Sequence, residues 1–126
     1  MYNKEKHKER MKTDLVYKIH RNCKARIRRA LLINGIRIPK CASTEELLGC
    51  SFQEFIKHIE NQFEEGMNWE NWAIDGWHVD HYYPCKDFDL AKPEEQKRCF
   101  HYTNQRPLWA KENTSRRYEE LQTITH

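Results

Sequence analysis

The stretch WHVDHYYP, from Trp77 to Pro84, places an acid beside a histidine within a strand-forming segment. Its aromatic and β-branched residues predict a strand from Trp77 to Tyr83. Asp80 can bind a metal ion, and His81 can bind one or act as a base. Neighbours on a regular strand point to opposite faces, so the two side chains share a site only if the strand twists, bulges or ends there. An Asp-His pair is common by chance, so its meaning depends on the residues that come after it in the chain.

Two asparagines come later in a fixed order: Asn104 in YTNQRPLW and Asn113 in KENTSRRY. The segment around Asn104 is predicted to be extended, and a helix is predicted to start near Ala110. Each residue has an ordinary structural explanation, such as a turn former for Asn104 or a helix cap for Asn113. Separate structural explanations become less convincing when four such residues occur in this order. They are Asp80, His81, Asn104 and Asn113.

In these residues the sequence resembles the HNH endonucleases, and in particular their small phage- and virus-type members. Three motifs carry the resemblance: Asp80-His81-Tyr82-Tyr83-Pro84, Tyr102-Thr103-Asn104-Gln105-Arg106-Pro107-Leu108-Trp109 and Glu112-Asn113-Thr114-Ser115-Arg116. The resemblance covers about residues 27–117. The sequence departs from the family pattern at Tyr82-Tyr83, which replaces an aliphatic pair, and at Gln105, which replaces a leucine.

The resemblance implies an α+β fold in which two strands and a helix form a ββα-metal core, together with a long basic N-terminal helix and additional short helices. It implies that Asp80 and Asn113 are metal ligands and that His81 is the general base. Asn104 would tie down the loop and help to orient His81. With an asparagine at the third position, the chain would be a His-Asn-Asn variant of an enzyme that hydrolyses DNA phosphodiester bonds.

The ligand types favour one magnesium or manganese ion, because carboxylate and amide oxygens are hard ligands. Zinc is disfavoured, since the five cysteines are odd in number and form no C-x-x-C pair. A zinc site remains the alternative, with ligands of suitable type at His78, Cys85, Cys99 and His101.

The charge distribution indicates DNA as the partner. Residues 1–40 carry a net charge of +10, residues 41–80 carry −8 and residues 81–126 carry +1. A strongly basic segment attracts a polyanion, although a solvated helix would look the same. The candidate DNA-binding residues are Arg26, Arg28 and Arg29 in the basic segment, and Arg106, Arg116 and Arg117 near the motifs. A non-cleaving nucleic-acid-binding or structural protein on the same fold is the alternative function.

We expect residues 1–40 to form a basic helical arm and residues 41–126 to form the nuclease domain, together making one compact unit. The helix of the arm is predicted from about Asn3 to Ile33, with the residues after it as a short extended link. Capping boxes at Ser43 and Ser51 predict two further helices, ending at Gly49 and near Gly66. The tryptophans from 69 to 77 are predicted to close the core.

Neither a membrane span nor a secretory signal is predicted, because no long apolar run exists and none follows the basic N-terminus. We therefore expect an intracellular protein of a host cell's cytoplasm or nucleoid, of the virus-encoded type. The sequence leaves open low-specificity cleavage, a homodimer, or targeting within a larger protein assembly.

Overall fold

The computed structural model describes the backbone of residues 4–112 and the side chains of residues 14–112. The protein is a mixed α+β structure with several helices and two small antiparallel sheets. The elements are α1 (Lys4–Ala30), β1 (Leu32–Ile33), β2 (Ile36–Arg37), α2 (Thr44–Leu48), α3 (Phe52–Glu60), β3 (Trp77–His81), α4 (Pro93–Phe100) and β4 (Gln105–Trp109). In this part of the chain, no helix is both long and apolar enough to cross a membrane.

The basic helix α1 packs its apolar stripe against the rest of the protein. Ile19 and Cys23 are buried in one hydrophobic cluster with Phe55 and Trp77. The next turns of the helix place Ile27 in a second cluster, with residues of α2 and α4. Spacing near four residues puts these side chains on one face, so α1 contributes to both clusters through its described side chains.

The helix α1 ends earlier than the sequence predicted, and the predicted link after it forms a hairpin. Strands β1 and β2 pair antiparallel, with Ile33 opposite Ile36. Asn34 and Gly35 form the turn with φ angles of 52° and 78°. Two positive φ angles in a row suit the tight hairpin turn that Asn-Gly favours. The pair therefore closes a hairpin, where we expected only the end of the helix.

The two capped helices start where the sequence predicted. Ser43 and Ser51 each accept a hydrogen bond from the backbone N–H three residues later. The helix α3 nevertheless ends at Glu60, six residues before the predicted limit at Gly66. The chain turns there, and the Phe63 ring lies edge-on to Trp69 and Trp77 with centroids 5.4 and 5.1 Å away.

The tryptophans close the core, as predicted. Trp77 is fully buried, and its ring stacks on Trp72 with centroids 5.9 Å apart. The indole N–H of Trp77 donates to the backbone oxygen of Asn68 at 2.7 Å and to the Asn71 side-chain oxygen at 3.0 Å. A Cβ atom at Gly76 would lie 1.7 Å from the Asn71 backbone oxygen. Glycine is therefore required before β3, where the chain crosses this loop closely.

The sheet that carries the motifs is formed by β3 and β4. The strands are antiparallel, with Trp77 opposite Trp109 and His81 opposite Gln105. Helical backbone begins at Ala110, directly after β4. This pairing brings the Asp80-His81 motif next to the segment that contains Asn104, although 22 residues lie between His81 and Asn104.

Candidate active site

Asp80 and His81 line the same cleft at the end of β3. The strand ends at His81, and both residues are still paired in the sheet, Asp80 opposite Arg106 and His81 opposite Gln105. The cleft has a volume of about 440 Å³, and Arg26, Arg29 and Cys85 also line it. Both side chains are half-buried, so the two neighbours are held by the fold and are still accessible from one cleft.

The His81 imidazole lies against Arg26 of helix α1. Its Nδ1 atom is 3.3 Å from one guanidinium nitrogen of Arg26, and the other donates to Gln105 Oε1 at 2.6 Å. The opposite ring nitrogen, Nε2, is buried from solvent. Burial, and secondly the Arg26 charge, lower the pKa of His81 from 6.5 to about 3. Burial also lowers the pKa of Arg26. His81 is therefore neutral at neutral pH.

Asn104 is the buried anchor of the loop that follows His81. Its side-chain oxygen accepts from the Tyr83 backbone N–H at 2.8 Å. Its amide donates to the backbone oxygens of Tyr83 and Cys99 at 3.0 and 2.9 Å. The Tyr82 backbone N–H donates to the Asn104 backbone oxygen at 2.9 Å. These bonds tie the loop after His81 to the end of α4.

The predicted DNA-binding arginines have different surroundings. Arg28 and Arg29 are exposed, whereas Arg26 is half-buried and faces the sheet. Arg106 is half-buried, with its guanidinium carbon 4.7 Å from the centre of the Tyr82 ring. Asn113, Arg116 and Arg117 lie outside the described residues.

A groove next to the Asn104 loop combines aromatic and basic side chains. It has a volume of about 730 Å³ and is lined by Tyr82, Tyr83, Phe88, Lys97, Arg98, His101, Thr103 and Asn104. Tyr83 is 67% exposed, and Lys97 and Arg98 are also exposed. The tyrosine pair that departs from the family pattern therefore lies on the surface, where aromatic rings and cations suit nucleotides.

Two cysteines lie together with His81. The Sγ atoms of Cys85 and Cys99 are 3.3 Å apart, and the Cys99 thiol donates to Cys85. One ligand atom each of His81, Cys85 and Cys99 lies within 4.8 Å of the other two. The hydrogen bond from Cys99 is the main cause that lowers the pKa of Cys85. The same bond and burial raise the pKa of Cys99.

This cluster differs from the zinc alternative expected from the sequence. Cys85 and Cys99 do meet, but neither His78 nor His101 belongs to the described cluster. His78 Nε2 lies 3.2 Å from the Ile74 backbone oxygen, and His101 Nδ1 lies 2.8 Å from Thr103 Oγ1. His81 was missed as the partner of the thiols because the motif assigned that residue to the catalytic pair. The proximity of Cys85, four residues after His81, was the available signal.

Comparisons with known proteins identify viral relatives. Uncharacterized protein L246 of Acanthamoeba polyphaga mimivirus is 42% identical over 104 residues, which are 82% of this chain and 43% of that protein. Uncharacterized protein L426 of the same virus is 48% identical over 68 residues, which are 54% of this chain and 30% of that protein. The chain spans less than half the length of these relatives. No profile of a known protein family matches it. No solved structure matches it either. The similarity to mimivirus proteins agrees with the expected virus-type protein.

Proposed function

We propose that the protein is a metal-dependent endonuclease of the HNH type that hydrolyses DNA phosphodiester bonds. The supporting observation is the geometry of one cleft, in which Asp80 and His81 meet where β3 ends beside β4. Helical backbone follows β4 at once, from Ala110. That order of strand, strand and helix is the one expected for a ββα-metal core.

Asp80 and Asn113 would hold one magnesium or manganese ion. The donor chemistry fits, because the Asp80 carboxylate lines an open cleft and hard oxygen ligands suit these ions. When bound, the ion would neutralise charge that grows on the phosphate and on the leaving oxygen. The basic side chain of Arg29 at the same cleft is placed to attract the DNA backbone.

His81 would take a proton from the water that attacks phosphorus. It is neutral at working pH, which a base must be. Asn104 would act as a positioning residue, because its hydrogen bonds fix the backbone of the loop that begins after His81. The cleavage products would carry 5′-phosphate and 3′-hydroxyl ends, as in the family that the sequence resembles.

One contact favours a second candidate, a non-cleaving nucleic-acid-binding protein. A guanidinium only donates hydrogen bonds, so Nδ1 of His81 presents its lone pair to Arg26 in this arrangement. Proton transfer from water to Nδ1 requires Arg26 to release it. A pKa of about 3 also makes His81 a weak base. The two candidates differ in whether DNA is cut.

Nicking of supercoiled plasmid with Mg²⁺ or Mn²⁺ tests the proposal. We expect wild type to nick, and His81→Ala and Asn113→Ala to be slower by about a hundredfold or more, as removal of a general base or a metal ligand costs. His78→Ala is the matched control, since this neighbouring histidine lines the cleft but has no proposed role. Equal cleavage by all four proteins, or none by wild type, would overturn the nuclease assignment.

A further inference from the structure

A cluster of soft ligands lies beside the proposed magnesium ligands. His81 comes from the end of β3, Cys85 from the turn that follows Pro84, and Cys99 from the last turn of α4. The three ligand atoms lie within 4.8 Å of one another, and the two sulfur atoms are 3.3 Å apart. Three separate segments therefore meet at one point.

The distances suit a zinc ion after a small movement. Tetrahedral zinc with thiolate and imidazole ligands would set the two sulfur atoms about 3.8 Å apart and each sulfur about 3.6 Å from the nitrogen. The thiols would separate by about half an ångström, and the imidazole nitrogen, now up to 4.8 Å from the sulfur atoms, would approach them by up to about 1.2 Å. Magnesium avoids such ligands and prefers oxygen, so the two kinds of ion would use different atoms.

The position of the cluster makes it accessible to an ion. His81 and Cys85 line the open cleft of about 440 Å³, whereas Cys99 is fully buried behind them. Three protein ligands leave a fourth position for water. Two thiolates would cancel the charge of the zinc ion, and the Arg26 guanidinium beside His81 would favour the thiolate forms.

We propose that His81, Cys85 and Cys99 form a three-ligand zinc site, and that zinc bound there inhibits the enzyme by occupying the imidazole of His81. The inhibition rests on the proposed nuclease function, whereas the binding does not. Zinc would act here as an inhibitor, and the catalytic ion would remain magnesium or manganese. The site would make cleavage sensitive to free zinc.

Binding of Co²⁺, a spectroscopic substitute for zinc, tests the site directly. With a phosphine reductant present and no magnesium, wild type should bind one equivalent and show an intense thiolate-to-cobalt absorption that one equivalent of Zn²⁺ removes. Cys41→Ser is the matched control because this cysteine is exposed and lies outside the cluster. Cys85→Ser should bind about a hundredfold more weakly. Cys99→Ser should weaken cobalt binding to the same extent, and it replaces Cys85→Ser in the test if that variant does not fold.

Two results would overturn the proposal. One is a wild-type protein that shows no thiolate-to-cobalt absorption. The other is equal absorption from wild type and a folded Cys85→Ser protein. Nicking assays then test the inhibition: one equivalent of Zn²⁺ should stop wild type in Mg²⁺, whereas Cys85→Ser should continue to nick. Equal inhibition of both proteins would refute the link to His81. If wild type never nicks, the nuclease proposal fails while the cobalt result still decides the zinc site.

Discussion

Replacing Asn104 by alanine should destabilise the protein through the loop that follows His81. The side chain is 7% exposed and makes three hydrogen bonds to backbone groups of Tyr83 and Cys99. Each bond contributes about 1 kcal/mol to stability. The substitution also leaves the buried backbone groups without a hydrogen-bond partner. We therefore expect the free energy of unfolding to fall by about 3 kcal/mol. For a chain of this size, that lowers the melting temperature by about 12 °C.

Urea and thermal unfolding, followed by tryptophan fluorescence, measure this loss, because the tryptophan cluster reports on the fold. Asn104→Asp should lose at least about 2 kcal/mol, since it loses both donated bonds and turns a buried carboxylate oxygen toward two carbonyl oxygens. Thr103→Ala is the control, because this neighbour is exposed and should change stability by less than about 1 kcal/mol. An Asn104→Ala protein within about 0.5 kcal/mol of wild type would refute the assignment of Asn104 as the anchor.

Three further predictions concern charge. Because the folded pKa of His81, about 3, lies below its unfolded value of 6.5, the unfolded chain takes up the proton first. Stability should be full well above pH 6.5 and should fall by about 3 kcal/mol at pH 4.5 in urea unfolding; a His81→Asn protein that shows the same loss would contradict this prediction. Arg26→Gln should raise the pKa of His81 in an NMR titration, because it removes a positive neighbour. An unchanged pKa would show that Arg26 does not influence His81. Changing both Lys97 and Arg98 to alanine should weaken DNA binding and reduce its logarithmic salt slope by about 2, whereas Lys57→Ala, an exposed lysine on another helix, should change neither.

Local signals predicted much of the fold. The two serine caps and the strand starting at Trp77 follow from rules that act within a few residues. Two sequence predictions were wrong: the position at which α3 ends, and the unpaired link after α1, which forms a hairpin. The first depends on Phe63 turning toward tryptophans farther along the chain, and the second on the pairing of residues expected to be an unpaired link.

The site was predictable only where its residues lie in motifs. The motifs of Asp80-His81 and Asn104 could be recognised because the first lies at the end of β3 and the second directly before β4, its neighbour in the same sheet. The contact of Arg26 with His81 was not, since 55 residues separate them and nothing local marks Arg26 among the basic residues of α1. The sequence did group Cys85 with Cys99 as possible zinc ligands, but it did not place His81 beside them.

The central claim is that the adjacent residues Asp80 and His81 have different tasks, metal binding and proton transfer. Rescue by imidazole separates them most directly, because the cleft of about 440 Å³ has room for a free imidazole where the side chain of His81→Ala is missing. We predict that added imidazole restores Mg²⁺-dependent plasmid nicking to His81→Ala and leaves Asp80→Ala inactive. If both variants respond alike, or if His81→Ala nicks at the wild-type rate without imidazole, the claim is contradicted.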